Sequence, residues 1–540
     1  MKFRDVVDPQ VAADYREHGW WGDDCLVDHL RRHVVERPDG VAYIADDGTM
    51  SWRQVDDASD RLARVLCAAG NEAGSRVAVI LPDSATVHVA LLALEKAGII
   101  AVGIGARAGT REIDHLLSTT GARSLVMGDR HRDLSADELL ATLDWDGQVV
   151  QVPMFEAAPD APIVVDGEVA DQAPDVDFDD RRVRPDDLFM INSTSGTTGL
   201  PKCVLHTQNR WMYFHQLAVR NGELGDDEVF MAAVPAPFGF GLWTSHFSPI
   251  LLGATTVVSR RFNSTTAMEA IARHGVTVLC CVSTQFLMIL NDPALGTQNL
   301  SSLRVMFTGG EAVPTARAEQ FESSTGCCVL QFYGSNETGL LSGTRTTDPS
   351  WVRFETAGRI EPDMRVELYD ESGSERVQHE GRPAGKGPAT CIGYLDTEAN
   401  QQLFTSDGWM LMGDLCTIDD DGILRVTGRT SDIIIRGGKN ISAGQVEDEV
   451  CSHPSVALAA AVATPDEIFG ERVLVFVELH ADAESLSIDD LRSFLLERGT
   501  SVELIPEALE VMPELPRSSG AKIAKGELTA IVKARTTPRQ

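Results

Sequence analysis

From Ser51 to Val102 the chain spells out one supersecondary unit, and no other stretch restricts the fold as much. Ser51-Trp52-Arg53-Gln54 has the spacing of a capping box, in which a hydroxyl and an amide satisfy the free N–H groups of a helix start. Val55, Ala58, Leu62 and Leu66 then recur at helical period until Gly70. Arg76 to Leu81 is an apolar run of strand length, Ala85 to Ala97 a helical stretch closed by Gly98, and Ile99 to Val102 a second strand-like run. A strand, a helix and a strand in that order make a βαβ unit, whose crossover leaves the two strands parallel. Parallel sheets are covered by helices on both faces, so the expected fold class is α/β. The alternation resumes at Gly275-Val276-Thr277-Val278-Leu279 and at Leu303-Arg304-Val305-Met306-Phe307, each followed by turn residues and a helical pattern.

At 540 residues the chain is too long for one core, and its 43% hydrophobic content is ordinary for globular proteins, so two or more domains are expected. The texture changes near Gly428-Arg429-Thr430-Ser431-Asp432. A strand, Ile433 to Arg436, runs into Gly437-Gly438, and Ser442-Ala443-Gly444-Gln445 reads as a capping box opening another helix. The expected division is a large α/β domain of layered sheets and helices over residues 1–428 and a small α+β C-terminal domain over residues 429–540. Between about Val165 and Asp187 the chain is rich in Asp, Pro and Arg without periodicity, which reads as a solvated connection.

Asp and Glu outnumber Lys and Arg by 80 to 47, a formal net charge of −33. That argues against binding nucleic acid or an anionic membrane through a basic surface. No run of about 18 apolar residues occurs and the N-terminus has no apolar stretch behind it, so neither a membrane span nor a signal peptide is expected, and the cytoplasm is the expected compartment. Ten cysteines are scattered, with adjacent pairs Cys280-Cys281 and Cys327-Cys328 but no C-x-x-C. They fit neither a zinc site nor a disulfide framework and are expected to pack as reduced, small apolar groups.

Directly after the apolar Leu188-Phe189-Met190-Ile191 comes Ser193-Thr194-Ser195-Gly196-Thr197-Thr198-Gly199-Leu200-Pro201-Lys202. Small residues let backbone N–H groups close on phosphate oxygens, the hydroxyls add donors, and the lysine adds charge. It is not the G-x-x-x-x-G-K-[ST] loop, because Lys202 follows Leu200-Pro201 and precedes Cys203. Taken alone, such a cluster is equally an ordinary Ser/Gly turn. Further segments of this character are Thr308-Gly309-Gly310-Glu311, Tyr333-Gly334-Ser335-Asn336-Glu337-Thr338, Gly408 to Asp414, Gly428 to Asp432, and Leu515-Pro516-Arg517-Ser518-Ser519-Gly520-Ala521-Lys522-Ile523.

In this order and spacing the segments resemble the adenylate-forming superfamily, which comprises acyl- and aryl-CoA synthetases, nonribosomal adenylation domains and luciferases; carboxylate–CoA ligases are closest in look. The resemblance implies an ATP- and Mg²⁺-dependent ligase in which a carboxylate attacks the α-phosphate, leaving an acyl-adenylate and pyrophosphate, and a thiol of coenzyme A or a carrier protein then displaces AMP. In-line displacement at phosphorus needs positioning and charge neutralisation more than a covalent catalyst.

By the same resemblance, Thr194, Ser195, Gly196, Thr197, Thr198, Gly199 and Lys202 cradle the β- and γ-phosphates, and Glu337 holds Mg²⁺. Asn336 contacts the α-phosphate, Tyr333 stacks on adenine, and Gly309, Gly310, Glu311, Gly334 and Ser335 border the nucleotide pocket. Asp414 accepts from the ribose hydroxyls and Arg429 donates to the ribose. The C-terminal domain is a mobile lid hinged near Ser431, and its Lys522 bridges the α-phosphate and the attacking carboxylate. The acid lies near Phe238, Gly239, Ser283 and Gly309. A homodimer is among the assemblies such an enzyme can form, and secondary metabolism is the setting the look suggests.

Four positions depart from the pattern. Cys203 replaces a glycine, Met412 a threonine of the ribose motif, Ser431 an Asp or Lys of the hinge, and Ile435 a lysine that serves the thiol step. Phe238 stands where a histidine is common, and Gly239 where salicylate and dihydroxybenzoate activators carry an asparagine. His206, in Leu205-His206-Thr207-Gln208-Asn209, reads as a hydrogen-bonded structural histidine. The leading expectation is an acid–CoA ligase for an aromatic, alicyclic or medium-length acid. A second is a stand-alone adenylating enzyme that serves a carrier protein or another nucleophile, including one that activates a small oxyanion. A third, a catalytically idle nucleotide-binding homologue, is opposed by the intact Lys202, Glu337, Asp414, Arg429 and Lys522.

Overall fold

The βαβ unit folds as its residues dictate. In the computed structural model, which describes residues 3–170, 173–174, 176–194, 201–310, 313–429, 432–436, 439–466, 469–481, 483, 485–517 and 522–536, strand Arg76–Ile80 lies parallel to Ile100–Gly103, with Arg76 opposite Ile100 and helix Ala85–Lys96 between them. Helix Trp52–Ala68 starts in the expected capping box. The Gln54 amide N–H donates to Ser51 Oγ at 3.3 Å and the Ser51 N–H donates to Gln54 Oε1 at 2.8 Å.

Among the described residues the unit is part of a nine-stranded sheet in which Gln148–Gln151, Ser124–Met127, Arg76–Ile80, Ile100–Gly103 and Met190–Thr194 run parallel. A second nine-stranded sheet has a parallel centre formed by Cys328–Ser335, Val305–Gly309, Val278–Cys280, Val229–Ala232, Thr255–Val257 and Val41–Ala45. One core joins the two sheets: Val77, Val79 and Ala101 of the first meet Tyr43, Phe230 and Phe307 of the second through Leu62, Leu66 and Leu92 of the helices between. Ala78, Ile80, Ile100 and Val102 point the other way, toward Leu116 and Leu117 of helix Thr110–Thr120, as strict strand alternation requires. A six-stranded antiparallel sheet follows, which includes Glu380–Lys386, Asp414–Ile418 and Leu424–Arg429.

The smaller C-terminal domain is a five-stranded mixed sheet with helices, built around the long pair Val456–Asp466 and Gly470–Leu479. Its strand Ile433–Arg436 has the bounds read from the sequence. Ala459 and Ala461 face the domain's own core, whereas Leu458, Ala460 and Val462 join the apolar cluster that contains Phe286 and Phe321 of the large domain.

Two local readings change. Helix Ala443–Cys451 begins at Ser442 without a side-chain cap, and the Ser442 hydroxyl lies instead toward Gly428, within 3.3 Å of where a Cβ would stand. The Val165–Asp187 segment is also more than a solvated connection. Val164–Val165 and Glu168–Val169 form a hairpin, Val183 and Asp187 are buried, and Arg181 Nε donates to the Ala97 carbonyl at 2.8 Å, tying the segment to the βαβ unit. The ten cysteines are all free, and eight of them are buried. No helix among the described residues is long and apolar enough to cross a membrane.

Every residue of helix Ala85–Lys96 is buried, including its last. Burial of Lys96 is tolerated because Asp56 Oδ1 and Asp60 Oδ1, one turn apart on Trp52–Ala68, each accept from its ammonium at 2.6 Å. Lys96→Met keeps the volume and removes the cation that Asp56 and Asp60 share. The expected loss is about 2 kcal/mol of stability, seen as a lower urea midpoint.

Candidate functional site

The residues singled out in the sequence converge at one end of the large domain. Phe238 and Gly239 follow strand Val229–Ala232, Ser283 opens the helix after Val278–Cys280, Gly309 ends Val305–Gly309, and Ser335 ends Cys328–Ser335. These are neighbouring parallel strands, and the sites lie at or beyond their carboxyl ends, where open α/β sheets bind ligands. Thr194 ends Met190–Thr194 of the other sheet and pairs with Lys202, so residues 195–200 connect two antiparallel strands. Ser195, Gly196, Thr197, Thr198, Gly199, Glu311, the hinge position Ser431 and the side chain of Arg429 lie outside the described residues.

Gly309 has no room for a side chain, because a Cβ would stand 2.2 Å from the Phe332 carbonyl oxygen. Gly310 has a φ of +77°, which favours glycine, and its carbonyl accepts from Lys522 Nζ at 2.7 Å. Lys522 is held there by local pairing on both sides of it: Arg517 bridges Ile523, and the Ala524 N–H donates to the Pro516 carbonyl at 2.7 Å. The C-terminal lysine therefore meets the large domain at the glycine pair.

Ser335 Oγ accepts from the N–H groups of Glu337 and Thr338 at 3.2 and 3.1 Å, which sets the tight turn bearing Asn336 and Glu337. Behind the turn lies a polar chain in an apolar interior. Asn336 Nδ2 donates to Asn192 Oδ1 at 2.7 Å, and His206 Nε2 donates to the same oxygen at 2.6 Å. His206 Nδ1 then accepts from Arg210, whose Nη1 also donates to the Asn336 carbonyl at 2.9 Å and whose Nε donates to the Ala389 carbonyl at 2.8 Å. Burial pushes the His206 pKa well below the usual range, with the Arg210 charge adding to the effect, so the ring is neutral, as these donor and acceptor roles require. Burial also draws Arg210 down to about 10, which leaves it charged at neutral pH.

Glu337 is buried. Its Oε1 accepts from the Tyr394 hydroxyl at 2.8 Å, and its carbonyl accepts from the Cys391 N–H at 2.7 Å. The Lys202 ammonium lies over the face of the ring that carries that hydroxyl, 5.0 Å from the Tyr394 centroid. On the far side of the turn, Tyr333 donates to Asp414 Oδ2 at 2.8 Å, and Asp414 pairs through its backbone with Arg429. Among the described residues no group of three or more His, Cys, Asp or Glu could enclose a metal. A lone carboxylate suits Mg²⁺, which takes one or two carboxylates and completes its shell with phosphate oxygen and water.

On the expected acid side, Phe238 packs on Gly105, and Gly239 lies so close to Asn336 that a Cβ would come within 2.6 Å of its Oδ1 and 3.0 Å of the Trp211 ring. Behind Gly239 stands a wall of rings. Phe214, Phe307 and Phe332 lie with centroids 4.9, 5.3 and 5.6 Å from Trp243, and Phe307 and Phe332 are 4.8 Å apart. An intercalated ring would need neighbours about 7 Å apart, twice the usual carbon contact, so these rings touch one another directly. The indole N–H groups of Trp211 and Trp243 are buried and find no hydrogen-bond partner among the described residues.

These features carry a familiar signature. Residues 30–395 match the model of the AMP-binding enzyme family, and residues 445–522 match its C-terminal domain. The chain belongs to the AMP-binding enzyme family. It is 31% identical to a 2-hydroxy-7-methoxy-5-methyl-1-naphthoate–CoA ligase of Streptomyces carzinostaticus, over 96% of this chain and 95% of that one. It is 28% identical to a medium-chain fatty-acid–CoA ligase of Escherichia coli (strain K12), over 99% and 95%. The fold matches a crystal structure of the anthranilate CoA ligase AuaEII in complex with anthranoyl-AMP, with a TM-score of 0.84, 22% identity and coverage of 96% and 98%. The protein is thus an adenylate-forming, ATP-using enzyme built as a large layered domain and a smaller C-terminal domain.

Sequence reasoning missed Tyr394, Asn192, Arg210 and the ring wall. Arg210 had a visible signal, the polar run His206-Thr207-Gln208-Asn209-Arg210 placed between apolar segments; Tyr394 had none. Of the departures, Cys203 is buried within strand Lys202–His206, Met412 lies with its sulfur 3.8 Å from Thr338 Oγ1, and Ile435 is exposed.

A buried carboxyl also shapes the acid side. Asp83 Oδ1 accepts from the Ala236 N–H at 3.3 Å, and burial raises the Asp83 pKa to about 8. The folded protein keeps this proton after the unfolded chain, with a pKa near 4, has lost it. The stability contributed by neutral Asp83 is therefore complete below about pH 4 and is lost as pH rises toward 8. Asp83→Asn stays neutral, so the difference in urea midpoint between variant and wild type should move in the variant's favour from pH 4 to pH 8.

Proposed function

We propose that the enzyme activates a carboxylic acid as its acyl-adenylate and transfers the acyl group to coenzyme A. The observation that carries the reading is the meeting of the Lys522 ammonium with Gly310, next to the turn that bears Asn336 and Glu337. A cation at that point offsets the charge that builds as one anion approaches another.

In this reading Lys202 and the loop from Thr194 to Gly199 hold the leaving pyrophosphate, and Asn336 meets the α-phosphate. Tyr333 and Asp414, already joined by their hydrogen bond, hold adenine and ribose, with Arg429 on the ribose from the adjoining strand. Glu337 would hold Mg²⁺, which when bound neutralises phosphate charge. The small domain begins near residue 429 and turns about Ser431, carrying Lys522 away once the adenylate has formed. The family kinship and the aryl and medium-chain acids in the relatives' names support an aromatic, alicyclic or medium-length acid.

A second reading, adenylation of a compact oxyanion or transfer to a different nucleophile, is favoured by a specific feature. The ring wall is closed behind Gly239, and Ile435 leaves the thiol step without its usual lysine. Purified protein with MgATP should release AMP and pyrophosphate only with its proper acid. A panel of aryl, alicyclic, medium-chain and compact oxyacids, with and without coenzyme A, separates the readings by which acid gives AMP and whether a thioester accumulates. Absence of AMP with every acid overturns both. Lys522→Ala should lower acid-dependent pyrophosphate release by on the order of 100-fold or more without changing the melting temperature.

A further inference from the structure

We infer that Tyr394 is a positioning residue that keeps Glu337 open to a divalent cation by holding one of its oxygens with its hydroxyl and the Lys202 ammonium on its ring face. This rests on the assignment of Glu337 as the metal ligand. Tyr394 lies on the short strand Gly393–Tyr394, where it pairs with Val204, two residues along from Lys202. Its backbone is fixed at both ends by one side chain: the Tyr394 N–H donates to Asn400 Oδ1 at 2.8 Å, and Asn400 Nδ2 donates back to the Tyr394 carbonyl at 2.9 Å. The same segment is tied to the Glu337 carbonyl through the Cys391 N–H at 2.7 Å. Ring and carboxylate therefore belong to one rigid unit.

The consequence is electrostatic. The hydroxyl donates to Oε1 at 2.8 Å, which fixes the plane of the carboxylate, while the ring face takes the Lys202 ammonium 5.0 Å from its centroid. A lysine and a glutamate that touch the same side chain attract each other in a half-dry site and, without it, are free to pair directly. Such a pair would occupy the oxygen a metal needs and the cation a phosphate needs. An aromatic face attracts the ammonium without neutralising it, so both charges stay available. The hydroxyl acts as outer partners of metal ligands do, by orienting the ligand.

The test is direct binding of Mn²⁺, as a paramagnetic substitute for Mg²⁺, to the full-length protein with α,β-methylene ATP, read by electron paramagnetic resonance. Tyr394→Phe keeps the ring and loses the hydroxyl, and should weaken Mn²⁺ binding about tenfold. Tyr394→Leu loses the ring face that holds Lys202 as well and should weaken it further, with melting temperatures reported for both. Mn²⁺ affinity of Tyr394→Phe equal to wild type overturns the inference, as does a Leu variant no weaker than the Phe variant. Glu337→Gln is the control: if it binds Mn²⁺ as wild type does, the metal assignment itself has failed, a result distinct from failure of the tyrosine's role.

Discussion

The site is organised around one buried cation. Arg210 is almost completely buried, and its guanidinium reaches His206 and the carbonyls of Ala389, Asn336 and Glu337. A charge removed from water must have its donors satisfied, and here backbone carbonyls from two separate segments do so. The geometry of the Ser335–Thr338 turn and of the Ala389–Tyr394 segment is thereby linked to helix Gln208–Gly222, which follows the strand bearing Lys202. The arrangement explains why Asn336, Glu337, Tyr394 and Lys202 occupy one small volume although they are distant in sequence.

Around that centre the sheets act as a frame. Parallel strands place their carboxyl ends in a row, and the chain leaves each of them with a short polar or glycine-rich segment. Gly309 and Gly310 let backbone approach backbone and lysine approach carbonyl, and the hairpin from Met190–Thr194 to Lys202–His206 brings the sheet of the βαβ unit to the same place. The C-terminal domain joins the large one through strand Val456–Asp466, one face of which serves its own core while the other meets the large domain's helices. Lys522 reaches Gly310 from this smaller body.

Much of the frame was legible because its signals are local. The Ser51–Gln54 capping box, the strand Ile433–Arg436 and the βαβ unit came from period and spacing alone, and the structure reproduces them within a residue or two. The reading of Ser442 as a cap failed because its hydroxyl has another neighbour, Gly428, that no spacing rule anticipates. The Val165–Asp187 segment misled for a related reason. Its charges suggested solvent, yet Arg181 reaches the Ala97 carbonyl across the fold and Asp187 is buried against the N–H of Arg184.

The sequence by itself determined the α/β class, the order of the glycine-rich, carboxylate and lysine motifs, and the structural character of His206, because each depends on residue type and short-range spacing. Only the tertiary structure decided that Tyr394 touches both Lys202 and Glu337, that Gly239 abuts Asn336, and that Trp243, Phe307 and Phe332 close the wall behind it. Those contacts join residues tens to hundreds of positions apart. They exist because parallel strands deliver remote segments to one edge of a sheet, where burial obliges each polar group to find its partner.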